Sequence, residues 1–88
     1  GAATKIERKS SYMEKLLRIL QDLLPQVDVK HDQHLVDDHL LDSLSILALV
    51  SELEEEFDIL IPAVDIIPDH FNSADQLWAL IVRLQQEG

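Results

Sequence analysis

Apolar residues recur at helical spacing in three segments of this 88-residue chain, and prolines separate those segments. Residues three and four positions apart lie on the same face of an α-helix, so each segment predicts a helix with one apolar stripe. The three stripes are Met13, Leu16, Leu17, Leu20, Leu23 and Leu24; then Ile46, Leu49, Val50, Leu53 and Phe57; then Leu77, Leu80, Ile81 and Leu84. Such helices cover one another's apolar faces, and the chain is predicted to be all-α, a four-helix bundle with three main helices, one short helix and a long first loop.

Capping signals and prolines set the expected ends of the first helix. Ser11 and Glu14 form an S-x-x-E capping box, which predicts a helix start at Ser11. Pro25 ends that helix because proline lacks the backbone N–H that a helix interior needs. The polar and basic residues 1–9 are expected to form a flexible tail, which leaves one domain over residues 10–88.

The rest of the chain predicts a long loop, a second helix, a short turn and a last helix. Residues 26–41 have no sustained period and are expected to form an ordered loop lying across the bundle. The second helix is expected over residues 43–57, and one short turn over residues 65–69. Ser73 and Gln76 form an S-x-x-Q box that predicts the start of the last helix.

Composition excludes several classes of function. Both glycines are terminal, so no interior loop can cradle a nucleotide phosphate, and cysteine is absent, which removes disulfides, thiolate metal sites and a cysteine nucleophile. A chain of this length buries only roughly 60–65% of its unfolded surface, which leaves little room for an enclosed active site. No apolar run approaches the roughly 18 residues of a membrane span. We expect a cytoplasmic monomer without stable membrane insertion.

The net charge is −10, from 17 acidic and 7 basic residues. This charge would repel nucleic acid and attract partners with basic patches. His31 and His34 stand three residues apart in the predicted loop, but the compact ligand spacing of a zinc site is missing. The surrounding residues 28–39 also lack the central glycine and terminal glutamate of an EF-hand loop. The sequence therefore predicts no metal site.

The start of the second predicted helix combines three features. Asp42 or Ser43 can cap it by accepting from the N–H groups of the first turn. The same N–H groups and the helix dipole favour an anion at Ser43, such as a phosphate esterified to its hydroxyl. Leu44 is apolar on the face opposite the core stripe, and Leu47 lies near the edge of that face. Spacing alone leaves two interpretations open, a simple cap beside one exposed leucine, or a modified serine beside a partner contact.

Residues 40–62 read LLDSLSILALVSELEEEFDILIP and resemble the signature of the acyl carrier protein and peptidyl carrier protein superfamily. The resemblance extends upstream through LVDDHLLDS, residues 35–43, and downstream through IIPDHFNSADQLWALI, residues 66–81. It implies a carrier protein rather than an enzyme. In this superfamily a phosphopantetheinyl transferase moves 4′-phosphopantetheine from coenzyme A onto the serine that Ser43 matches. Acyl or aminoacyl groups are then held as thioesters on the arm and presented to partner enzymes.

The resemblance also implies roles for neighbouring residues. Asp42 matches the aspartate that helps to position the metal and coenzyme A during loading, and Leu44 and Leu47 would contact partners. These partners would be the transferase, an acyl- or aminoacyl-activating enzyme and downstream acyl-using enzymes. The acidic side chains expected to steer basic partners are Asp37, Asp38, Glu52, Glu54, Glu55, Glu56 and Asp58.

Three positions bear on the subtype. Ser45 and Ala48 stand where fatty-acid carriers usually have acids, and His39 stands where a glycine is common. The LLDS and IIPDHFNSADQLW segments are similar to the D-alanyl carrier and to some stand-alone aminoacyl or peptidyl carriers, and we favour that branch. A fatty-acid or polyketide acyl carrier protein is the alternative. An unmodified acidic helical protein-interaction module is the alternative from another class. The sequence does not identify the carried group.

Overall fold

The computed structural model describes the backbone of residues 2–87 and the side chains of residues 12–87. Within residues 2–87 the chain forms four α-helices, one 3-10 helix and no strand. The elements are α1 (Ala2–Leu23), α2 (Ser43–Phe57), the 3-10 helix (Ala63–Asp65), α3 (Pro68–Phe71) and α4 (Ala74–Glu87). The predicted all-α bundle, with three main helices, one short helix and a long first loop, is confirmed.

The first helix begins earlier than the capping box predicts. Its backbone is helical from Ala2, so Ser11 lies inside α1 and the predicted start there is wrong. The residues ahead of Ser11 include alanine, lysine, glutamate and arginine, which are good helix formers, and no proline or glycine interrupts them after Gly1. The expected flexible tail, residues 1–9, is therefore helical from Ala2 onward, and Gly1 lies outside the described residues. The division into a tail and a domain over residues 10–88 stays a prediction.

The apolar stripes of the three long helices meet in one core. Each helix contributes two side chains that are fully buried, namely Leu16 and Leu20 of α1, Leu49 and Leu53 of α2, and Leu77 and Ile81 of α4. Phe71 of α3 is also buried. Of the stripe predicted for α2, only Ile46 is partly exposed. Periodicity therefore identified the buried faces correctly.

The loop between α1 and α2 is fixed to this core by its own apolar side chains. Val29, Leu35 and Leu41 are each no more than 2% exposed, and Val27 and Val36 are partly buried. Burying apolar area is favourable, so these side chains hold the loop against the helices without secondary structure of its own. The prediction of an ordered loop across the bundle agrees with this arrangement.

The short helix begins three residues later than predicted. The turn expected over residues 65–69 is replaced by the 3-10 helix Ala63–Asp65 and by α3, which begins at Pro68. Ile67, the residue before that proline, is extended, at φ −129° and ψ 154°, because the proline ring disfavours the helical conformation there. Pro68 itself suits a first helical position, since its fixed φ is helical and no N–H is needed.

An aromatic contact joins α1 to the C-terminal end of α2 and to α4. The rings of Tyr12 and Phe57 meet edge to face, with centroids 5.8 Å apart and planes at 89°. The centroid of Trp78 lies 6.4 Å from that of Tyr12. Edge-to-face pairs are favoured by the ring quadrupoles. The contact therefore secures the end of the bundle farthest from the start of α2.

Candidate functional site

Asp42 is the N-cap of α2, and Ser43 is the first helical residue. The Asp42 backbone is extended, at φ −96° and ψ −178°, and its Oδ1 accepts a hydrogen bond of 2.8 Å from the Ser45 N–H. The Asp42 carbonyl accepts the first helical bond, 2.8 Å long, from the Ile46 N–H. Of the two caps that the sequence allows, the helix uses Asp42. The Ser43 hydroxyl is thereby left uncommitted to capping.

The Asp42 carboxyl is more acidic than an ordinary aspartic acid. Hydrogen bonds from the Ser45 backbone N–H and then from the Ser45 side chain lower the pKa of Asp42, because they favour its charged form. The carboxylate is therefore ionised at neutral pH, where the helix dipole also favours it. Since the pKa is lower in the folded state, its stabilising effect is complete above the ordinary value of about 3.9 and disappears as the pH falls through the folded-state pKa.

The residues that follow the cap divide between solvent and core. Ser43 is exposed, and the side chains of Leu44 and Leu47 are 79% and 60% exposed. Leu49 and Leu53, on the opposite face of the same helix, are fully buried. The two exposed leucines thus contribute little to the core, and their apolar surface is accessible to another molecule.

The start of α2 fits a phosphate ester at Ser43. The hydroxyl-bearing side chain is exposed at the first position of a 15-residue helix, between the exposed residues Asp42 and Leu44, so a bulky group can be attached without displacing the core. The helix dipole favours the negative charge that a phosphate would add at this end. The chemistry available here is attachment to a hydroxyl.

The predicted acidic surface divides into free and engaged side chains. Asp38, Glu52 and Glu55 are exposed on the loop and on α2. Glu54 instead accepts a 2.9 Å hydrogen bond from the Ile61 N–H through Oε2 and holds the chain that leaves α2. Glu56 Oε1 lies 3.4 Å from Lys15 Nζ of α1. This last pair is about half exposed, and such pairs contribute little to stability.

Asn72, between α3 and α4, binds the loop that precedes the start of α2, a contact that was not predicted from the sequence. It is 6% exposed, and its carbonyl oxygen accepts from the Leu35 N–H at 2.9 Å. Its side-chain Oδ1 accepts from the N–H groups of Val36 and Asp37 at 2.9 and 3.0 Å, and its Nδ2 donates to Asp37 Oδ2 at 3.2 Å. The only sequence signal was a polar residue between the core residue Phe71 and a helix cap.

That helix cap is Ser73, as the S-x-x-Q box predicts. Ser73 is 1% exposed, and its Oγ accepts from the Gln76 N–H at 3.1 Å in the first turn of α4. The predicted capping role of Ser73 is confirmed.

His39 has a left-handed backbone, with φ +62°. This conformation places the Cβ atom of any residue but glycine too close to its own carbonyl oxygen. It explains why the resemblance would place a glycine here. The turn remains possible with histidine, which is one of the residues that tolerate this region better than most.

We expect the residue at position 39 to affect stability through its backbone alone. His39→Val should lower the free energy of unfolding by about 1–2 kcal/mol, because a β-branched side chain strains the left-handed conformation. His39→Gly removes that strain and adds the entropy cost of glycine, so its stability should stay within about 1 kcal/mol of the parent. Urea unfolding followed by circular dichroism measures both variants. A valine variant as stable as the glycine variant would contradict this account.

Two of the histidines have local hydrogen-bond partners. His31 Nδ1 lies 2.9 Å from Asp28 Oδ2, and His70 Nδ1 donates to the Asp65 carbonyl oxygen at 2.8 Å. Across residues 12–87, no three histidine, aspartate or glutamate side chains form a group suited to a metal ion. In the described part of the chain, none of the helices has the length and apolar character needed to cross a bilayer.

Residues 14–81 match the family described as "Phosphopantetheine attachment site". This range contains the end of α1, the long loop, α2, α3 and the first part of α4. The chain therefore belongs to the phosphopantetheine-bearing carrier proteins, and these proteins are non-catalytic carriers of 4′-phosphopantetheine. The predicted superfamily, the cofactor and the assignment as a carrier rather than an enzyme are confirmed.

Two relatives show how far the similarity extends. The chain is 31% identical over 72 residues to the D-alanyl carrier protein of Streptococcus suis (strain 05ZYH33). It is 32% identical over 72 residues to the D-alanyl carrier protein of Streptococcus mutans serotype c (strain ATCC 700610 / UA159). Each alignment covers 81% of this chain and 91% of the relative.

Proposed function

We propose that Ser43 carries the 4′-phosphopantetheine arm and that the chain presents acyl or aminoacyl groups on that arm to partner enzymes. One observation carries the assignment: Ser43 is exposed at the first position of α2, with the capping bond made by Asp42, inside the range that matches the family. The position combines an accessible hydroxyl with the end of a helix dipole that favours phosphate.

The proposed attachment is a phosphoryl transfer to a hydroxyl. Ser43 Oγ forms a bond to the phosphorus that bears pantetheine, and the phosphoanhydride bond of coenzyme A breaks. Adenosine 3′,5′-bisphosphate leaves with the bonding electron pair, and the hydroxyl proton passes to water or to a base of the transferase. Asp42 is ionised and held by Ser45, so its Oδ2 is our proposed ligand for the divalent cation that accompanies coenzyme A.

When attached, the arm supplies a terminal thiol that holds the carried group as a thioester. The chain has no cysteine, so the arm provides the thiol that it lacks. Holding the carried group in this way needs no enclosed pocket. Because coenzyme A is the source of the arm, we place loading in the cytoplasm, and we propose that the chain acts as a monomer. The covalent link keeps the carried group at high effective concentration near each partner.

We propose that partners dock on the exposed face of α2 and the loop before it. Leu44 and Leu47 supply apolar contacts, and Asp38, Glu52 and Glu55 attract basic side chains. Opposite charges raise the rate at which two proteins associate, by steering their encounter. The partners proposed are the phosphopantetheinyl transferase, an activating enzyme and the enzymes that use the carried group.

We place the chain in the D-alanyl or aminoacyl branch of carriers. The similarity to D-alanyl carrier proteins supports this branch, as do Ser45 and Ala48 where fatty-acid carriers have acids. The holo protein should accept D-alanine from a D-alanine-adenylating enzyme and ATP faster than malonate from malonyl-coenzyme A and an acyltransferase. The opposite preference would favour the fatty-acid or polyketide alternative.

The attachment itself is tested by intact mass. The unmodified protein is incubated with coenzyme A, magnesium and a broad-specificity phosphopantetheinyl transferase, and we expect its mass to rise by one phosphopantetheine group. Fragmentation should place the added mass on Ser43. An unchanged mass, or an addition at another residue, would overturn the proposal.

A further inference from the structure

We infer that Asn72 is a positioning residue for the loading reaction, because it holds the loop that leads into Ser43. The inference rests on the proposed attachment at Ser43. Asn72 does not touch that serine. It acts through residues 35–41, which directly precede the cap residue Asp42.

Asn72 uses both ends of its side chain and its own carbonyl oxygen to fasten three consecutive loop residues. The carbonyl oxygen and Oδ1 accept from the N–H groups of Leu35, Val36 and Asp37, all at 2.9–3.0 Å. Nδ2 donates to the Asp37 carboxylate at 3.2 Å. A buried amide with its donor and acceptor both engaged fixes a loop more rigidly than an apolar contact does, since each bond has a preferred direction.

The fastened residues are linked to the start of α2 by a second contact. The Leu41 N–H donates to the Leu35 carbonyl oxygen at 2.8 Å, and both side chains are buried. Only Asp42 separates Leu41 from Ser43. A shift at Leu35 therefore moves the segment that sets the position of Ser43.

Asn72 is itself held between two helices. It follows Phe71, the last residue of α3, which is 1% exposed, and it precedes Ser73, which caps α4. Groups supported by packed helices keep a reacting residue in place better than groups on mobile loops. The loop before Ser43 is therefore anchored to the α3–α4 junction.

The same contacts change the interpretation of Asp37. From the sequence, Asp37 is expected on the surface that attracts partners. In the structure its backbone N–H and its carboxylate both bind the Asn72 amide. We assign Asp37 to holding the loop together with Asn72.

An exchange of these two side chains tests the inference in the unmodified 88-residue chain. Asn72→Asp keeps the acceptor but removes the Nδ2 donor and sets a second carboxylate against Asp37, so the loop should move. We expect kcat for transfer of phosphopantetheine from coenzyme A to fall by roughly tenfold or more, since small displacements of a reacting group are costly. Adding Asp37→Asn to this variant restores one donor and one carboxylate and should return kcat to within about twofold of the parent.

Two further variants separate positioning from lost stability. Asn72→Ser removes the amide without adding charge, and we expect it to lower kcat without rescue by Asp37→Asn. Leu84→Ala weakens the core beside Phe57 and Ile59, at the far end of α2, and should leave kcat unchanged. A partly unfolded variant raises the apparent KM for the carrier in inverse proportion to its folded fraction and keeps the parent kcat. A displaced Ser43 lowers kcat and keeps the KM, because Leu44 and Leu47 still dock.

The outcomes are distinct. If the parent protein gains no mass, the proposed function fails. If the parent is loaded and Asn72→Asp has the same kcat, or Leu84→Ala loses as much kcat at an equal urea midpoint, the inference on Asn72 is overturned. A low kcat in Asn72→Asp, restored by Asp37→Asn, supports it.

Discussion

Replacing Ser43 by alanine is expected to abolish phosphopantetheine attachment completely and to leave the fold unchanged. The proposed reaction needs the hydroxyl oxygen as nucleophile, and alanine has none. The fold does not need this hydroxyl, because Asp42 makes the capping bond to the Ser45 N–H. Alanine is also the best helix former, so the first turn of α2 should remain helical. Intact mass after incubation with coenzyme A, magnesium and the transferase measures the effect.

Ser51 provides the matched control for this substitution. It lies on the same helix, is exposed and can be replaced by the same residue. Ser51→Ala should gain the mass of one phosphopantetheine group at the parent rate. A Ser43→Ala variant that still gains the mass would show that the arm is attached elsewhere.

Replacing Leu53 by alanine should destabilise the domain by about 2–5 kcal/mol, because the side chain is fully buried and its loss leaves a cavity. Small domains have a total stability of only about 5–15 kcal/mol, so a large part of it would be lost. Urea unfolding followed by the helical circular dichroism signal measures the change.

The same substitution at Leu47 should have almost no effect on stability. Leu47 lies on the same helix, but its side chain is 60% exposed, so Leu47→Ala should change the free energy of unfolding by no more than about 0.5 kcal/mol. Leu47→Ala should instead raise the KM of a partner enzyme for the carrier, because Leu47 lies on the proposed docking face. Leu53 is buried and does not touch a partner directly. Equal losses of stability at the two positions would contradict the division of α2 into a core face and a docking face.

The limits of α2 were predictable because every signal for them is local. Helical spacing of apolar residues identified its buried face, and residues 43–57 are the helix that was expected. The sequence did not decide between Asp42 and Ser43 as the cap, because either side chain can reach the first turn. The extended backbone of Asp42 and its hydrogen bond from the Ser45 N–H decide it.

The start of α1 was missed although its signals are local too. Ser11 and Glu14 satisfy a capping pattern, but a capping pattern does not stop a helix that already has favourable residues before it. The sequence prediction placed α3 too early, because it did not use the preference of proline for the first helical position, which Pro68 occupies.

The role of Asn72 was not readable from the sequence because its partners are far away along the chain. The bonds from Val36 and Asp37 to Oδ1 span 36 and 35 residues. No periodicity or local motif relates positions at that separation. Ser43 could be found from neighbouring residues, whereas the residue that we propose positions it depends on the tertiary fold.

The packing of Tyr12 against Trp78 gives this protein a built-in optical probe. The chain has one tyrosine and one tryptophan, and their ring centroids are 6.4 Å apart. Excitation energy absorbed by the tyrosine is therefore transferred to the tryptophan as long as α1 and α4 remain packed together. Tyr12 packs on Phe57, and the helix rises about 21 Å over the fourteen steps from Ser43 to Phe57. Tryptophan emission therefore reports on unfolding without a dye, from the opposite end of α2 to the serine.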